Sequence, residues 1–221
     1  GIDRVITSVD YWSDISAMKH SSSGGADGWD HNSYLNIWVG RLTTGTLGIT
    51  TFPSTSMTNE DGVVCTTKAF GRLSTVSKLY NLGRTATHEV GHWLNLRHIW
   101  GDANCGNDLV SDTPTQQTSN YGCPTFPHTT CSNGANGDMF MNYMDYTDDG
   151  CMNMFTAGQA SRINAAITAS RAGLLTSLGC TPPSTASCGT PTGLTSSSVT
   201  ATGATISWTA VTGASSYNVQ Y

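Results

Sequence analysis

Charged side chains are scarce in this sequence of 221 residues: they make up 11%, against about 25% in typical soluble domains. The 10 basic residues are outnumbered by 15 acidic ones and form no cluster, which argues against a nucleic-acid-binding surface. No apolar run approaches the roughly 18 residues of a spanning helix, so we expect no membrane span. With 38% apolar residues the chain can still bury a core, which excludes a charged disordered tail.

Glutamate is the scarcest of the charged types. Of the 15 acidic residues, 13 are Asp and only Glu60 and Glu89 are Glu. Because Glu and Lys are strong helix formers, their scarcity argues against a helix-rich or coiled-coil protein. Ser, Thr and Gly are abundant instead, with 24 Gly residues in the chain.

Seven cysteines are present. Three of them lie in the stretch 101–150, which has no regular period, and a fourth, Cys151, follows it directly. Free buried thiols and a Cys-only zinc site are alternatives, but no C-x-x-C pair supports the zinc site. Disulfides fit best, so we expect a secreted or cell-surface protein, with the chain beginning at Gly1 as a processed or truncated chain does. An odd number leaves one cysteine free or paired outside the chain. The seven are Cys65, Cys105, Cys123, Cys131, Cys151, Cys180 and Cys188.

The end of the chain differs in composition from the rest. Arg171 is the last charged residue, and a Ser/Thr/Gly/Pro-rich stretch begins near Gly179. Ala204–Thr209 and Ser216–Tyr221 then resemble two strands joined by a turn. We therefore predict a main domain over 1–178, a linker over 179–187 and a partial β-sandwich over 188–221.

The main domain carries signals for strands and for helices, which predicts an α+β fold. Thr156 followed by Gln159 forms a capping box at the start of the second helix. The predicted strands are Tyr34–Gly40, Leu47–Phe52 and Gly62–Thr67, and the predicted helices are Leu79–Leu96 and Thr156–Leu174.

The first of these helices contains the motif His88-Glu89-Val90-Gly91-His92. Residues four apart share one helix face, so both imidazoles can reach a single metal ion. Glu89 lies about 100° round the helix from His88, which lets it approach a metal-bound water without being a ligand itself. A surface helix with two unrelated histidines is the alternative reading.

A third histidine decides between these readings. His98 follows His88 by ten residues and reaches the same ion only if the chain turns sharply between His92 and His98. Asn95 lies at that turn, and Asn tolerates a positive φ better than any other residue except Gly. We therefore expect the helix to end at about Leu94–Asn95. No Glu follows Glu89, so a downstream Glu as third ligand is excluded, whereas Asp remains formally open.

The segment Asn142-Tyr143-Met144-Asp145-Tyr146 completes the pattern. A tight turn that carries Met beneath a three-histidine zinc site is a hallmark of one protease clan. Met144 alone is also compatible with ordinary core packing. Tyr146 can place a phenol near the metal as a donor to an oxyanion, or serve as a buried structural tyrosine.

These motifs resemble the metzincin zinc endopeptidases, and within them the pappalysin family, which includes pregnancy-associated plasma protein A and bacterial relatives similar to ulilysin and cytophagalysin. The resemblance rests on HEVGHWLNLRHIWGD, DLVSDTPT and MNYMDYTDDGCMNMFTAGQ, and it covers roughly residues 1–172. Asn95 departs from the family, which commonly has Gly there.

The resemblance implies a twisted, mostly parallel sheet with an antiparallel edge strand, an active-site helix, and a loop-rich C-terminal subdomain with a Met-turn and a C-terminal helix. The family's domain normally begins with a strand, a helix and a strand upstream of Ile2–Tyr11, so we expect these to be lacking here. The terminal fragment resembles a fibronectin type III module.

The same resemblance assigns roles to individual residues. It implies His88, His92 and His98 as zinc ligands and Glu89 as the general base. It gives Tyr146 the role of an oxyanion donor and Met144 that of the Met-turn residue. It suggests disulfides Cys105–Cys131 and Cys123–Cys151, and a structural calcium ion with Asp102, Asp108, Asp112 and Thr113 as oxygen-rich candidates.

The predicted function is that of a secreted zinc endopeptidase, which hydrolyses protein and peptide substrates through zinc-bound water. Leu47–Phe52 is the strand that would hold an extended substrate. Two alternatives remain: a catalytically impaired fragment acting as a surface binding or adhesion module, and a zinc hydrolase of non-peptide amides. No nucleic-acid partner is expected, and the oligomeric state is not defined.

Overall fold

A computed structural model describes residues 1–43, 45–72, 77–179, 190–200, 203–211 and 217. The chain forms two compact units, Gly1–Ser177 and Leu178–Tyr221. Among the described residues, no helix has both the length and the apolar character needed to cross a membrane.

The first unit is built on a three-stranded sheet in the order β1-β3-β2. Strand β1 spans Asn36–Gly40, β2 spans Gly48–Thr50 and β3 spans Gly62–Thr66. β1 and β3 are parallel, whereas β2 is antiparallel to β3 and lies at one edge, as the resemblance implies. All three predicted strands exist, although each is shorter than predicted.

Both faces of β3 are covered, which explains its continuous apolar run. Val64 packs on one face against Trp12 and Trp38. Val63 and Cys65 point to the other face, since side chains alternate along a strand, and they pack against Trp93 of the long central helix. The apolar core of this unit therefore lies on both sides of one central strand.

The central helix, α2, spans Arg84–Trp93 and follows a short helix, α1, at Ile15–Met18. The predicted start at Leu79 is wrong. Gly83 adopts a left-handed φ of 78°, which interrupts any helix that arrives from upstream. The predicted end is confirmed: Leu94 caps the helix and Asn95 has a positive φ of 71°.

The last helix of this unit, α3, spans Ala157–Ser170 and is followed by a 3₁₀ helix at Ala172–Thr176. The predicted capping box is confirmed, because Thr156 and Gln159 exchange both of its hydrogen bonds. The predicted single helix ending at Leu174 is instead divided near Arg171, where the α-helix ends and the 3₁₀ helix begins.

Arg171 is buried and ties the end of α3 to α2 and to the loop before β3. Its guanidinium forms an ion pair with Asp61 and lies 3.7 Å from the ring centroid of Trp93. Trp93 in turn donates from Nε1 to Asp61 over 2.8 Å. Because each buried polar group has a partner, the network holds the C-terminal end of α2 in place.

In the second unit, the described residues form a two-stranded antiparallel sheet of β4, Thr192–Ser197, and β5, Thr205–Thr209. β5 matches the predicted strand Ala204–Thr209. β4 was not predicted, because its Ser/Thr-rich sequence resembles a linker. The predicted strand Ser216–Tyr221 lies outside the described residues except for Tyr217, and the predicted linker does so except for Gly179.

Candidate active site

Three histidines converge beside α2. His88 and His92 lie one helical turn apart on the same face, and the turn at Asn95 brings His98 back towards them. One ligand nitrogen from each ring lies within 4.8 Å of the others, and the Nε2 atoms of His92 and His98 are 3.0 Å apart. Ligand atoms of a tetrahedral zinc ion at about 2.0 Å are roughly 3.3 Å apart, so the spacing suits zinc.

Hydrogen bonds to the backbone orient two of these rings. Nδ1 of His88 donates to the carbonyl of Tyr143 over 2.7 Å, and Nδ1 of His92 donates to the carbonyl of Leu96 over 2.8 Å. With the proton held at Nδ1, each Nε2 presents a lone pair to the centre of the cluster.

The third ring is oriented by a side chain. Nδ1 of His98 lies 2.5 Å from Oδ1 of Asp102, and the His98 ring stacks on Trp100 with centroids 4.3 Å apart. Sequence reasoning grouped Asp102 with the calcium candidates, but the structure places it against His98. A carboxylate four residues after a ligand histidine is the signal that could have identified this role.

The electrostatics of the cluster favour neutral imidazoles at His88 and His92. Burial, reinforced by the neighbouring histidines, lowers the pKa of His88 to about 3 and that of His92 to about 4. Neutral rings whose lone pairs face one another at 3.0 Å repel unless a cation lies between them. The residues present therefore fit a zinc ion, and His88, His92 and His98 are the ones that would hold it.

Glu89 lies on the adjacent face of α2 and is buried. Its carboxylate has no hydrogen-bond partner within the described part of the chain, and burial raises its pKa to about 7. A cavity of about 340 Å³ opens beside it. The cavity wall is formed in part by Gly48, His88, Glu89 and Tyr146.

The turn at Asn142–Asp145 lies beneath the histidines. Asn142 accepts from the backbone N–H of Met144 over 2.9 Å, which closes the turn locally. Met144 is fully buried with Leu96, Ile99 and Trp100. The carbonyl of Tyr143 in this turn is the one that orients His88, so the turn and the histidine cluster are directly connected.

Tyr146 follows the turn and lies beside the histidines. Its ring centroid is 4.9 Å from that of His98 and 5.5 Å from that of His88. Burial, reinforced by the charge of Glu89, raises the pKa of Tyr146 to about 12. The phenol therefore keeps its proton at neutral pH and can donate a hydrogen bond into the cavity.

Asp149 contributes to the site from a distant part of the sequence. Its Oδ2 accepts from the backbone N–H groups of Leu82, over 2.8 Å, and Arg84, over 3.1 Å. A carboxylate at a helix N-terminus satisfies unpaired donors and suits the helix dipole. Sequence reasoning missed this role, because a cap 65 residues away leaves no local signal.

The long loop between α2 and the turn is held by two disulfides. They pair Cys105 with Cys131 and Cys123 with Cys151, as the resemblance implies. Among the described cysteines, Cys65 alone is free, and it is buried in β3. Cys180 and Cys188 lie outside the described residues.

The calcium candidates are dispersed in the structure. Asp112 accepts from Thr156 and from the backbone of Gly158, so it caps α3. Asp108 accepts from Thr113 through Oδ1, while its buried Oδ2 has no hydrogen-bond partner among the described residues. Within the described ranges, the three histidines form the only cluster of three or more potential metal ligands.

The sequence model of the peptidase M43 family, described as pregnancy-associated plasma protein-A, matches residues 20–168. The chain belongs to the pappalysin family. This membership implies a catalytic zinc ion, for which the histidine cluster provides a fitting site.

Relatives of this pappalysin include fungal proteins named extracellular metalloprotease. The protein from Colletotrichum graminicola is 45% identical over 135 residues, which cover 57% of this chain and 47% of the relative. The protein from Arthroderma otae is 43% identical over 148 residues, which cover 64% of this chain and 53% of the relative. The chain thus spans about half the length of these relatives.

Solved structures support the metzincin-like fold. Mature mirolysin of Tannerella forsythia, solved in complex with a cleaved peptide, superposes with a TM-score of 0.72 at 47% identity. The match covers 76% of this chain and 66% of that one. Mirolysin in complex with compound 9 gives a TM-score of 0.74, and the match covers 79% of this chain and 68% of that one.

Proposed function

We propose that this pappalysin is a zinc-dependent endopeptidase that acts outside the cell. One observation carries the proposal: three histidine nitrogens converge next to Glu89, a buried carboxylate that has no hydrogen-bond partner among the described residues. A structural histidine cluster does not require such a carboxylate, whereas hydrolysis requires a base at that place. The names of the fungal relatives and the two disulfides support the extracellular location.

Each residue of the site has a distinct task in this proposal. When bound by His88, His92 and His98, zinc supplies Lewis acidity that lowers the pKa of a water molecule towards about 7. Glu89 takes the proton as the water attacks the scissile carbonyl, and then delivers it to the leaving amine. Asp102 keeps His98 in the tautomer that leaves Nε2 free.

Tyr146 acts as the oxyanion donor in this scheme. Its phenol keeps its proton, because burial raises its pKa to about 12. A donor placed before the reaction stabilises charge that develops on the carbonyl oxygen, which is usually a large contribution to catalysis. Met144 serves as the Met-turn residue, and its burial beneath the histidines supports that assignment.

The proposed substrates are protein or peptide chains bound in extended form. β2 is the edge strand of the sheet, and its residue Gly48 borders the cavity next to Glu89. An edge strand offers unpaired backbone groups to an incoming peptide, which then adds as a further strand.

Two finer elements belong to the same proposal. The buried Oδ2 of Asp108, without a hydrogen-bond partner among the described residues, supports a calcium ion beside Asp108 and Thr113. A fall in the thermal midpoint on adding a calcium-selective chelator, reversed by Ca²⁺, tests the presence of this calcium ion.

The strands β4 and β5 support a fibronectin type III-like beginning in residues 188–221.

The decisive experiment compares the two glutamates of the chain. We expect the purified protein to contain one zinc ion and to cleave casein, with cleavage blocked by a chelator and restored by zinc. Glu89→Gln should abolish cleavage while zinc remains bound, because the base is lost but the ligands are not. Glu60→Gln is the matched control, since the carboxylate of Glu60 lies in an exposed ion pair with His20, and it should leave both properties unchanged.

The outcomes separate the competing functions. Cleavage that survives in Glu89→Gln would refute the assignment of the base. Zinc bound without any cleavage by the wild-type chain would favour the binding or adhesion module. Cleavage of non-peptide amides but not of casein would favour the other zinc hydrolase.

A further inference from the structure

β2 passes so close to Glu89 that it has no room for a side chain at Gly48. A Cβ added at Gly48 would lie 2.6 Å from Cγ, 2.7 Å from Oε1 and 2.9 Å from Cδ of Glu89. Non-bonded carbon atoms prefer separations of about 3.5–4.0 Å, so any larger residue here would displace the glutamate.

The strand itself cannot retreat from Glu89. Gly48 is paired with Cys65 of β3, and the neighbouring Leu47 accepts from the backbone of Thr66 over 2.9 Å. Paired residues of adjacent strands point to the same face of a sheet, and Cys65 points towards α2. The missing side chain of Gly48 would therefore point at α2 as well.

Backbone conformation does not explain the glycine at this position. Gly48 lies in regular strand conformation and not in the left-handed region that favours glycine. Glycine at this position leaves room for the side chain of Glu89, because it has no Cβ.

The Glu89 carboxylate also lacks a polar partner that could hold it. None of the described residues forms a hydrogen bond with it, although it is buried beside His88 and Tyr146. Its direction is therefore set by the surfaces that surround it, and β2 at Gly48 is one of these surfaces.

We propose that Gly48 is a positioning residue for Glu89, because its bare backbone leaves the glutamate directed at the cavity beside the histidines. This inference rests on the proposed function, in which Glu89 is the base. A substitution at Gly48 should slow the chemical step more than it weakens substrate binding, although β2 is also the proposed substrate-binding strand.

The first test is Gly48→Ala, with Gly150→Ala as a matched control. An added Cβ at Gly150 meets no atom within 4 Å, and Gly150 has no left-handed φ. A displacement of about 1 Å in a catalytic group can cost roughly 100-fold in rate, so we expect a fall in kcat of that order for Gly48→Ala. KM, zinc content and the thermal midpoint should stay close to wild type, as should all properties of Gly150→Ala. An unchanged kcat in Gly48→Ala, or a rise in KM alone, would overturn the proposal.

A structural measurement keeps this inference separate from the proposed function. If Glu89→Gln retains cleavage, or if the wild-type chain does not cleave peptides, the assignment of the base fails. The contact is still tested by a crystal structure of Gly48→Ala, in which the Glu89 side chain should be rotated away from β2. A glutamate that keeps its wild-type position would refute the steric argument whatever the activity.

Discussion

The sulfur of Met144 lies against the backbone of Gly91, where an added Cβ would be 2.5 Å from it. Gly91 lies on α2 between Glu89 and His92, so this contact sets the turn directly beneath the histidines. Met144 is fully buried, and because protein interiors are close-packed its side chain can withdraw only by displacing its neighbours.

This contact predicts whether Gly91→Ala raises or lowers the free energy of unfolding. Alanine in an exposed helix is more favourable than glycine by about 0.8–1.0 kcal/mol, so propensity alone would stabilise the protein. We expect the opposite, a loss of about 1–3 kcal/mol in the free energy of unfolding, because the methyl group overpacks the contact with Met144. Urea denaturation measures this change. A stabilised Gly91→Ala variant would show that the turn does not pack tightly on α2.

Asp102→Asn is expected to weaken zinc binding. The neutral amide is a poorer partner for Nδ1 of His98, and loss of such an orienting group typically costs about 10–100-fold in metal affinity. Competition with a chromophoric chelator measures the affinity. Asp10→Asn is the control, because Asp10 forms only an exposed ion pair with Arg41. Equal zinc affinity in both variants would contradict the orienting role.

The histidine cluster could be predicted from the sequence because its determinants are local. The spacing of His88 and His92 needs only helical periodicity, and the turn at Asn95 needs only the tolerance of asparagine for a positive φ. The capping box at Thr156 is local in the same way. In these three places the sequence contains the physical cause of the structure within a few residues.

The features that sequence reasoning missed depend on distant partners. α2 begins at Arg84 because Gly83 is left-handed and Asp149 caps the helix from a later loop. β4 forms from a Ser/Thr-rich segment because β5 supplies its hydrogen bonds. Gly48 resembles any other strand glycine until the fold brings Glu89 next to it. Composition and periodicity carry no information on such pairings.

Arg171→Met is expected to destabilise the first unit strongly. The substitution leaves the carboxylate of Asp61 buried without its cation, which typically costs about 3–5 kcal/mol in the free energy of unfolding. Arg41→Met is the matched control, because it breaks an exposed pair with Asp10 that is worth about 0–1 kcal/mol. Denaturant titrations of both variants measure the difference. Similar losses would mean that the buried pair contributes no more than the exposed one.

The thiol of Cys65 should be inert in the folded protein at neutral and mildly alkaline pH. Burial, together with the charge of Glu89, raises its pKa to about 12, so the reactive thiolate is almost absent. We expect no modification of the Cys65 peptide by an alkylating reagent at about pH 8, where an unfolded thiol with a pKa near 8.5 reacts readily. Mass mapping with and without denaturant measures the contrast.

The same shift has a consequence for stability, and its sign follows from proton binding. Between a pKa of about 8.5 in the unfolded chain and about 12 in the folded chain, the folded state holds the proton that the unfolded state has lost. The contribution of Cys65 is therefore fully present below about pH 8.5 and declines as the pH rises towards 12. Cys65→Ser, whose hydroxyl does not titrate in this range, should show a weaker decline in unfolding free energy over that interval. An identical slope in the two proteins would contradict the raised pKa.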